Sequence, residues 1–268
     1  RDMNKLDLVV IGAGPGGYVA AIRAAQLGMS VTVVEKDTPG GVCLNWGCIP
    51  SKNLIHQAEQ FHGLSAMEAI GVNIDRTGLD YAAVQAQSRG VVKTLTNGVA
   101  GLLKRNKVQY ITGTARVAGK GEVSVEGHGK LVANNILVAT GSRTMAVPGF
   151  EFDEQSILSS SGVLAMTELP ESMVILGAGA IGCEFAYVMS SFGVKVTLVE
   201  ALDHILPTED FETCAVLDKA FRDAGIDVRV QTRARDLKKT ATGVTVALHS
   251  ADGDSDTVDA EKALVVFG

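Results

Sequence analysis

Two cysteines five positions apart carry the most distinctive chemistry in the sequence. Cys43 and Cys48 lie in the segment GGVCLNWGCIPSK, which ends at Lys52. A short loop between cysteines can close a disulfide that is readily reduced when its geometry is strained. A helix N-terminus and a nearby lysine both favour the thiolate, which is the reactive form of a cysteine. We interpret the pair as a redox-active disulfide.

Half of a zinc site is the alternative interpretation of this pair. Structural zinc usually takes a second Cys/His pair at short spacing. The nearby histidines, His56 and His62, do not provide such a pair. The sequence therefore predicts redox chemistry and no metal. The other two cysteines, Cys183 and Cys214, lie in helical, mainly apolar surroundings and are predicted to be buried, inert thiols.

A glycine-rich loop precedes the cysteines. The apolar run LDLVVI predicts a buried strand, and it leads into GAGPGG, an alanine-rich helical stretch and a second strand that ends at Glu35. Gly12 allows a tight turn, Gly14 allows a pyrophosphate to approach the backbone closely, and Gly17 allows close packing of helix and strand. The phosphates bind at the helix N-terminus, and the acid accepts hydrogen bonds from a ribose. This unit predicts a dinucleotide site.

The same pattern occurs again in the second half of the chain. Gly177, Gly179 and Gly182 have the same spacing, and the strand KVTLVE, which ends at Glu200, is a near copy of SVTVVE. The segment ILVATG has its counterpart in ALVVFG, which ends at Gly268. This internal repeat predicts two dinucleotide-binding domains and therefore two nucleotides.

The predicted fold class is α/β, with two Rossmann-like domains of the three-layer ββα type, each combining a parallel sheet and a β-meander. We place the first domain over residues 1–150 and the second over 151–268. Within the first we expect a loose stretch over 63–78, a long helix over 79–103 and meander strands from residue 108, including separate strands over 130–132 and 135–139. A linker is expected over 150–170.

Two nucleotide sites beside a cysteine pair suggest a relay of nicotinamide, flavin and disulfide, because flavin exchanges electrons with both hydride carriers and thiols. The site next to the cysteines is expected to hold FAD, and the second to hold NAD. Glu200 favours a free 2′-hydroxyl, whereas a 2′-phosphate needs a nearby arginine. The residues that follow, Ala201, Leu202 and Asp203, include none.

The cysteine segment resembles the active-site signature of the class I flavoprotein disulfide reductases. The second glycine loop and its helix, GAGAIGCEFAYVMSSFGVKVTLVE, are similar to those of the dihydrolipoamide dehydrogenase family. The resemblance implies that Cys43 is the interchange thiol, that Cys48 forms the charge-transfer thiolate, and that Lys52 lies near flavin N5 and pairs with Glu184 beside the nicotinamide. It implies FAD contacts at Glu35, Lys36, Gly41, Lys52, Gly113, Ala115, Thr140, Gly141 and Ser142, and NAD contacts at Gly177, Gly179, Gly182, Glu200 and Gly268.

The resemblance also implies an activity and partners. The activity is oxidation of dihydrolipoamide by NAD⁺, with a lipoyl-bearing protein as partner. It implies a homodimer formed through a C-terminal interface domain that supplies the acid/base and is expected to be absent from these 268 residues. The alternatives are a related disulfide reductase, a mercuric reductase, a transhydrogenase, or a fragment that only binds nucleotides.

Composition limits the partners further. The net charge is −6, which disfavours nucleic acid and anionic membranes. No apolar run reaches the roughly 20 residues that span a bilayer. A chain with four cysteines fits a reducing compartment, where a close pair is catalytic or metal-binding more often than structural. We expect a cytoplasmic enzyme, or a mitochondrial matrix enzyme if a presequence was removed.

Overall fold

The computed structural model describes residues 5–267, which divide into two compact units, residues 5–50 with 88–143 and residues 51–87 with 144–267. The elements follow the order β1 Lys5–Ile11, α1 Pro15–Gln26, β2 Val31–Glu35, α2 Gly41–Trp46, α3 Cys48–Ala69, α4 Tyr81–Arg105, β3 Gln109–Thr112, β4 Ala115–Gly119, β5 Glu122–Val125, β6 Gly129–Val138, β7 Ile157–Leu158, α5 Ser160–Ala165, β8 Ser172–Leu176, α6 Ala180–Ser191, β9 Lys195–Val199, α7 Phe211–Asp223, β10 Asp227–Arg229, β11 Thr232–Lys239, β12 Val244–Ser250, β13 Ser255–Ala260 and β14 Lys262–Val265.

The first unit contains a six-stranded sheet in the order β3-β2-β1-β6-β5-β4. The strands β3, β2, β1 and β6 are parallel, whereas β4, β5 and the start of β6 form an antiparallel meander. The central residues of β1 and β2 are apolar because they pack against core clusters on both faces of the sheet; Val9, Val10 and Val33 are fully buried.

The second unit contains a five-stranded parallel sheet in the order β10-β9-β8-β14-β7 and a separate antiparallel sheet of β11, β12 and β13. The order β10-β9-β8-β14 matches β3-β2-β1-β6 of the first unit strand for strand. The predicted α/β fold with a repeated dinucleotide-binding topology is therefore confirmed. The domain bounds at residue 150 stay a prediction.

Four local predictions were wrong. Residues 63–69, predicted as loose, continue α3, and the strand near residue 110 is the parallel edge strand β3 and not part of the meander. The predicted linker contains β7 and α5. The two strands predicted around residues 130–139 are one strand, β6, because Asn134 and Asn135 bond to Asp7 of the neighbouring strand instead of ending it.

Within residues 5–267, no helix is both long and apolar enough to cross a membrane.

Candidate functional site

The first glycine loop is shaped by close backbone contacts. Gly12 has a φ of +102°, and a Cβ at this position would lie 2.3 Å from the carbonyl oxygen of Ala139. A Cβ at Gly17 would lie 1.9 Å from the oxygen of Gly12. At Gly14, by contrast, the nearest atom to such a Cβ is 3.8 Å away, on Gly41. The outer glycines fold the loop, and the middle one leaves room above it, as a pyrophosphate requires.

The helix after this loop offers its N-terminus to an anion. The N-cap of α1 is Gly14, which has no side chain to cap the helix, and the first turn contains no acidic residue. By contrast, α5 is capped by the side chain of Ser159 and α7 by that of Asp210. Although the N–H of Gly17 bonds to the Gly14 carbonyl oxygen at 2.9 Å, no side chain of the first turn competes for the positive end of the helix dipole, which favours a phosphate there.

The acid of the first copy, Glu35, is buried at the end of β2. Its Oε2 accepts a hydrogen bond from the Ala13 amide at 2.7 Å, and its Oε1 accepts one from the Asp37 amide at 3.0 Å. The carboxylate is thus fixed to the glycine loop. Each oxygen can accept a further hydrogen bond, so the predicted ribose contact is compatible with this geometry.

The cysteine helix α2 lies on this glycine loop. The amide of Gly40 donates to the Ala13 carbonyl oxygen at 2.8 Å. A Cβ at Gly41, whose φ is +59°, would lie 2.7 Å from the Cα of Gly14. Glycine is therefore required where α2 begins, and the predicted neighbourhood of cysteines and nucleotide loop is present in the structure.

The two cysteines occupy different helices. Cys43 lies in the middle of α2 and is half-buried, whereas Cys48 is the first residue of α3 and is exposed. Gly47 separates the helices. The pairing of the two sulfur atoms stays a prediction.

Most of the other positions predicted to contact FAD follow the carboxyl ends of parallel strands. Gly113 follows β3 and donates its amide to the Glu35 carbonyl oxygen at 2.8 Å. The carboxyl ends of neighbouring parallel strands form one edge of the sheet, where ligands bind in this fold. Exposed residues at this edge follow β2 and β6, namely Lys36, Thr140, Gly141 and Ser142. Ala115 begins β4, on the meander.

The second glycine loop repeats the geometry of the first. Gly177 has a φ of +109°, and its Cβ would lie 2.8 Å from the Val266 carbonyl oxygen. A Cβ at Gly182 would lie 1.9 Å from the oxygen of Gly177. Apart from its two chain neighbours, no described residue lies within 4 Å of a Cβ at Gly179, which is the N-cap of α6 and has no side chain to cap the helix. This loop therefore fits a second dinucleotide.

The acid of the second copy also repeats the first. Glu200 is buried and accepts hydrogen bonds from the amides of Ala178 at 2.8 Å and Leu202 at 3.0 Å. The predicted NAD contact at Gly268 lies outside the described residues.

Lys52 and Glu184 form an ion pair. Their Nζ and Oε1 atoms are 3.1 Å apart, with 64% of the lysine side chain and 29% of the glutamate side chain exposed. Glu184 lies near the start of α6, just after the second glycine loop. The structure thus brings these two predicted residues together, and their role beside a nicotinamide stays a prediction.

A basic cavity beside the second acid was missed by the sequence analysis. Its volume is about 570 Å³, and it opens at the residues directly after Glu200. Arg233, Arg235 and His249 contribute to its wall from β11 and β12. The alternation in TRARDL is typical of a strand with both arginines on one face, but nothing local indicates that this face adjoins residue 201.

The two remaining cysteines are buried, as predicted. Burial, together with nearby Glu200, raises the pKa of Cys183 to about 12. Burial also raises the pKa of Cys214. Both thiols are therefore protonated at neutral pH and poor nucleophiles. Among residues 5–267, no cluster of three or more His, Cys, Asp or Glu residues could hold a metal ion.

Comparison with known proteins places this architecture in a family. The family model described as pyridine nucleotide-disulphide oxidoreductase matches residues 6–268. The chain belongs to this family.

The curated relatives narrow the class further. The chain is 41% identical to dihydrolipoyl dehydrogenase of Geobacillus stearothermophilus, over 98% of this chain and 56% of the relative. It is 43% identical to dihydrolipoyl dehydrogenase of Thermus scotoductus, over 99% of this chain and 58% of the relative. Leghemoglobin reductase of Vigna unguiculata is 39% identical over 98% of this chain and 51% of the relative. The chain thus spans little more than half the length of these relatives.

Two solved structures have a fold similar to that of this chain. LpdA from Mycobacterium tuberculosis superposes with a TM-score of 0.87 at 27% identity, covering 98% of this chain and 59% of that one. The HOCl-induced flavoprotein disulfide reductase RclA from Escherichia coli superposes with a TM-score of 0.81 at 28% identity, covering 98% of this chain and 56% of that one. The family description names a pyridine nucleotide and the Escherichia coli structure is described as a flavoprotein, which agrees with the NAD and FAD that the sequence predicts.

Proposed function

We propose that this chain provides the two nucleotide-binding domains and the redox cysteines of an NAD-dependent dihydrolipoamide dehydrogenase. The observation that carries the proposal is the placement of α2. Gly40 is bonded to the first glycine loop at 2.8 Å, and Gly41 packs on Gly14. A helix with a reactive cysteine therefore lies directly on a dinucleotide loop, where electrons can pass between thiols and a flavin.

The proposed chemistry begins with thiol–disulfide exchange at Cys43. Dihydrolipoamide attacks the Cys43–Cys48 disulfide, the lipoamide disulfide forms, and both cysteines become thiols. Two electrons and two protons move from substrate to protein. When bound, FAD supplies the two-electron chemistry that links a dithiol to a nicotinamide. Overall, dihydrolipoamide and NAD⁺ yield lipoamide, NADH and one proton.

The chain's own residues bind and orient the nucleotides in this proposal. Gly12 and Gly17 fold the first loop, Gly14 would leave room on it for the FAD pyrophosphate, and Glu35 would accept a hydrogen bond from a ribose hydroxyl. The second loop and Glu200 do the same for NAD. The ion pair with Glu184 fixes the ammonium of Lys52, so that its charge is held in one place during electron transfer.

The basic cavity fits the adenosine end of NAD in this proposal. It begins at Ala201, directly after the acid that accepts the ribose. The amide of Gln231 donates to the Leu202 carbonyl oxygen at 2.7 Å, which holds the start of β11 against this loop. Arg233 and Arg235 therefore lie where the sequence alone offered no arginine. NAD remains the proposed nucleotide despite these arginines, because the carboxylate of Glu200 can accept a hydrogen bond from a free 2′-hydroxyl and would repel a 2′-phosphate.

The partners follow from the same proposal. The substrate is dihydrolipoamide, carried on a lipoyl-bearing protein, and the full-length enzyme is a homodimer in the cytoplasm or the mitochondrial matrix.

The experiment uses the full-length protein that contains this chain. We expect it to purify with FAD and to reduce NAD⁺ when given dihydrolipoamide. Cys43→Ser and Cys48→Ser should each abolish this activity, while Cys214→Ser, a change at a buried thiol, should leave it intact. If dihydrolipoamide gives no NADH but glutathione disulfide or Hg²⁺ supports NADH oxidation, the protein is another reductase of the family. Absence of flavin would contradict the proposal entirely.

A further inference from the structure

Two adjacent residues of α4 bond to the two helices that carry the cysteines. A guanidinium nitrogen of Arg89 donates to the carbonyl oxygen of Asn45, in the last turn of α2, at 2.6 Å. The hydroxyl of Ser88, which is buried, donates to the carbonyl oxygen of Pro50, in the first turn of α3, at 3.2 Å. The dipeptide is therefore bonded on both sides of Gly47, the residue that separates the helices.

Arg89 makes a second contact with α2. Its guanidinium lies over the Trp46 ring, 4.4 Å from the ring centroid. The carbonyl groups at a helix C-terminus lack intrahelical partners, and a cation there also interacts favourably with the helix dipole. Arginine combines a directional hydrogen bond with planar stacking, which lysine cannot reproduce in full. The fit therefore depends on this residue type.

The opposite end of α2 is also fixed. The buried Asn45 side chain donates to the carbonyl oxygens of Pro39 at 3.2 Å and Gly41 at 2.9 Å. A helix of six residues is not stable by itself in water, so its position depends on such bonds. Asn45 secures the start of α2 through its side chain, and Arg89 secures the end through the Asn45 carbonyl. Cys43 lies between these two points.

We propose that Arg89 is a positioning residue for the redox pair. By holding the end of α2 next to the start of α3, it keeps Cys43 and Cys48 at the separation at which their disulfide closes, and thereby sets the reduction potential of the pair. This inference rests on the proposed function.

The direction of the effect follows from effective concentration. Reduction of the disulfide consumes two electrons and two protons and gives two thiols. When the thiols are held close together, the disulfide is favoured; when α2 is released, the dithiol gains freedom and is favoured. Loss of the clamp should thus make the pair easier to reduce. A tenfold change in the equilibrium constant corresponds to about 30 mV for a two-electron couple.

The test measures the Cys43–Cys48 redox equilibrium in the full-length protein across glutathione buffers of graded potential, with thiols trapped by alkylation and counted by peptide mass spectrometry. Arg89→Met leaves a long apolar side chain at this position but removes the positive charge and the hydrogen-bond donors. We expect it to shift the disulfide–dithiol equilibrium roughly tenfold toward the dithiol. Arg89→Lys should recover part of the shift. Arg105→Met is the matched control, because Arg105 is exposed in the last turn of the same helix, and it should give the wild-type equilibrium.

The outcomes separate the two proposals. If the wild-type protein shows no reversible Cys43–Cys48 couple, the proposed function fails and this inference fails with it. If the wild-type couple is present but Arg89→Met titrates like wild type, only the inference is overturned; a lower melting temperature with an unchanged equilibrium has the same meaning. Should Arg89→Met not fold, Arg89→Lys and Ser88→Ala replace it, and wild-type equilibria in both would overturn the inference.

Discussion

Replacement of Gly12 by alanine tests the proposed role of the first glycine loop. Two independent features oppose a side chain at this position: the φ of +102° and the Ala139 carbonyl oxygen, 2.3 Å from where the Cβ would lie. Both obstacles are backbone features and cannot rotate away. Gly16 provides a matched control, because a Cβ there would meet no described atom within 4 Å and the residue lies inside α1.

The magnitude follows from these two features. A left-handed backbone costs a non-glycine residue about 1–2 kcal/mol, and overpacking costs about 1–3 kcal/mol. We therefore expect Gly12→Ala to lower the free energy of unfolding by about 3 kcal/mol. At about 2–4 °C per kcal/mol, the melting temperature should fall by about 6–12 °C. Gly16→Ala should be neutral or slightly stabilising, because alanine is favoured over glycine inside a helix by up to about 1 kcal/mol.

The assay combines the flavin-to-protein ratio of the purified full-length variants with thermal unfolding. Gly12→Ala should lose most of its FAD, whereas Gly16→Ala should keep it. The repeat supplies a mirror experiment: Gly177→Ala, with a φ of +109° and an oxygen at 2.8 Å, should weaken NAD binding and leave FAD in place. A Gly12→Ala protein with full flavin content and a wild-type melting temperature would refute the reasoning.

Three further predictions concern residues outside the glycine loops. Because the pKa of Cys183 is raised to about 12, its thiol should react with iodoacetamide at pH about 8 far more slowly than that of Cys48 in protein whose Cys43–Cys48 disulfide has first been reduced; equal labelling in peptide mass spectrometry would contradict this. Glu184→Gln should change the free energy of unfolding by less than about 1 kcal/mol, since its ion pair is partly exposed, yet slow the reduction of flavin by NADH in stopped-flow experiments; unchanged rates would remove its proposed role. Although burial acts to raise it, hydrogen bonds from Lys239 and three backbone amides hold the pKa of Asp153 well below its usual range. This contribution is fully present above the unfolded-state pKa of about 3.9 and is lost as the pH falls through the folded-state pKa, so Asp153→Asn should lower the melting temperature at pH about 7, with a difference from wild type that narrows below pH about 4.

The sequence was most informative where the functional residues lie close together along the chain. Gly12, Gly17 and Glu35 lie within one βαβ unit, so their spacing alone indicates a loop, a helix N-terminus and an acid that meet at one end of a sheet. The copy that starts at Gly177 made the interpretation stronger, because a chance pattern is not expected to occur twice with the same spacing. The strand order, which is the same in both sheets, agrees with that argument.

These local sequence patterns could not predict contacts between segments that are distant along the chain. Arg89 is 44 positions from Asn45, and nothing in the helical periodicity of α4 indicates which carbonyl its guanidinium meets. The wall of the basic cavity also depends on a contact between distant segments. Its strand β11 is held beside Leu202 by the backbone hydrogen bond from Gln231. The predicted break in β6 at Asn134 and Asn135 was wrong for a related reason. Polar side chains suggest a strand end unless a neighbouring strand offers hydrogen-bond partners.

The proposed function requires FAD to stay bound while NAD exchanges, and the two copies of the glycine loop differ in a way that fits this requirement. In both copies the acid holds its loop by the same pair of hydrogen bonds, so the scaffold itself does not distinguish them. What differs is the surroundings of the middle glycine: Gly41 lies 3.8 Å from the Cβ position of Gly14, whereas no described atom lies within 4 Å of that of Gly179. A loop with the start of the cysteine helix packed beside it suits a cofactor that remains in place. An open loop suits NAD, which must enter oxidised and leave reduced in every catalytic cycle. The segment that brings Cys43 to the flavin loop therefore also accounts for the retention of FAD in the proposed enzyme.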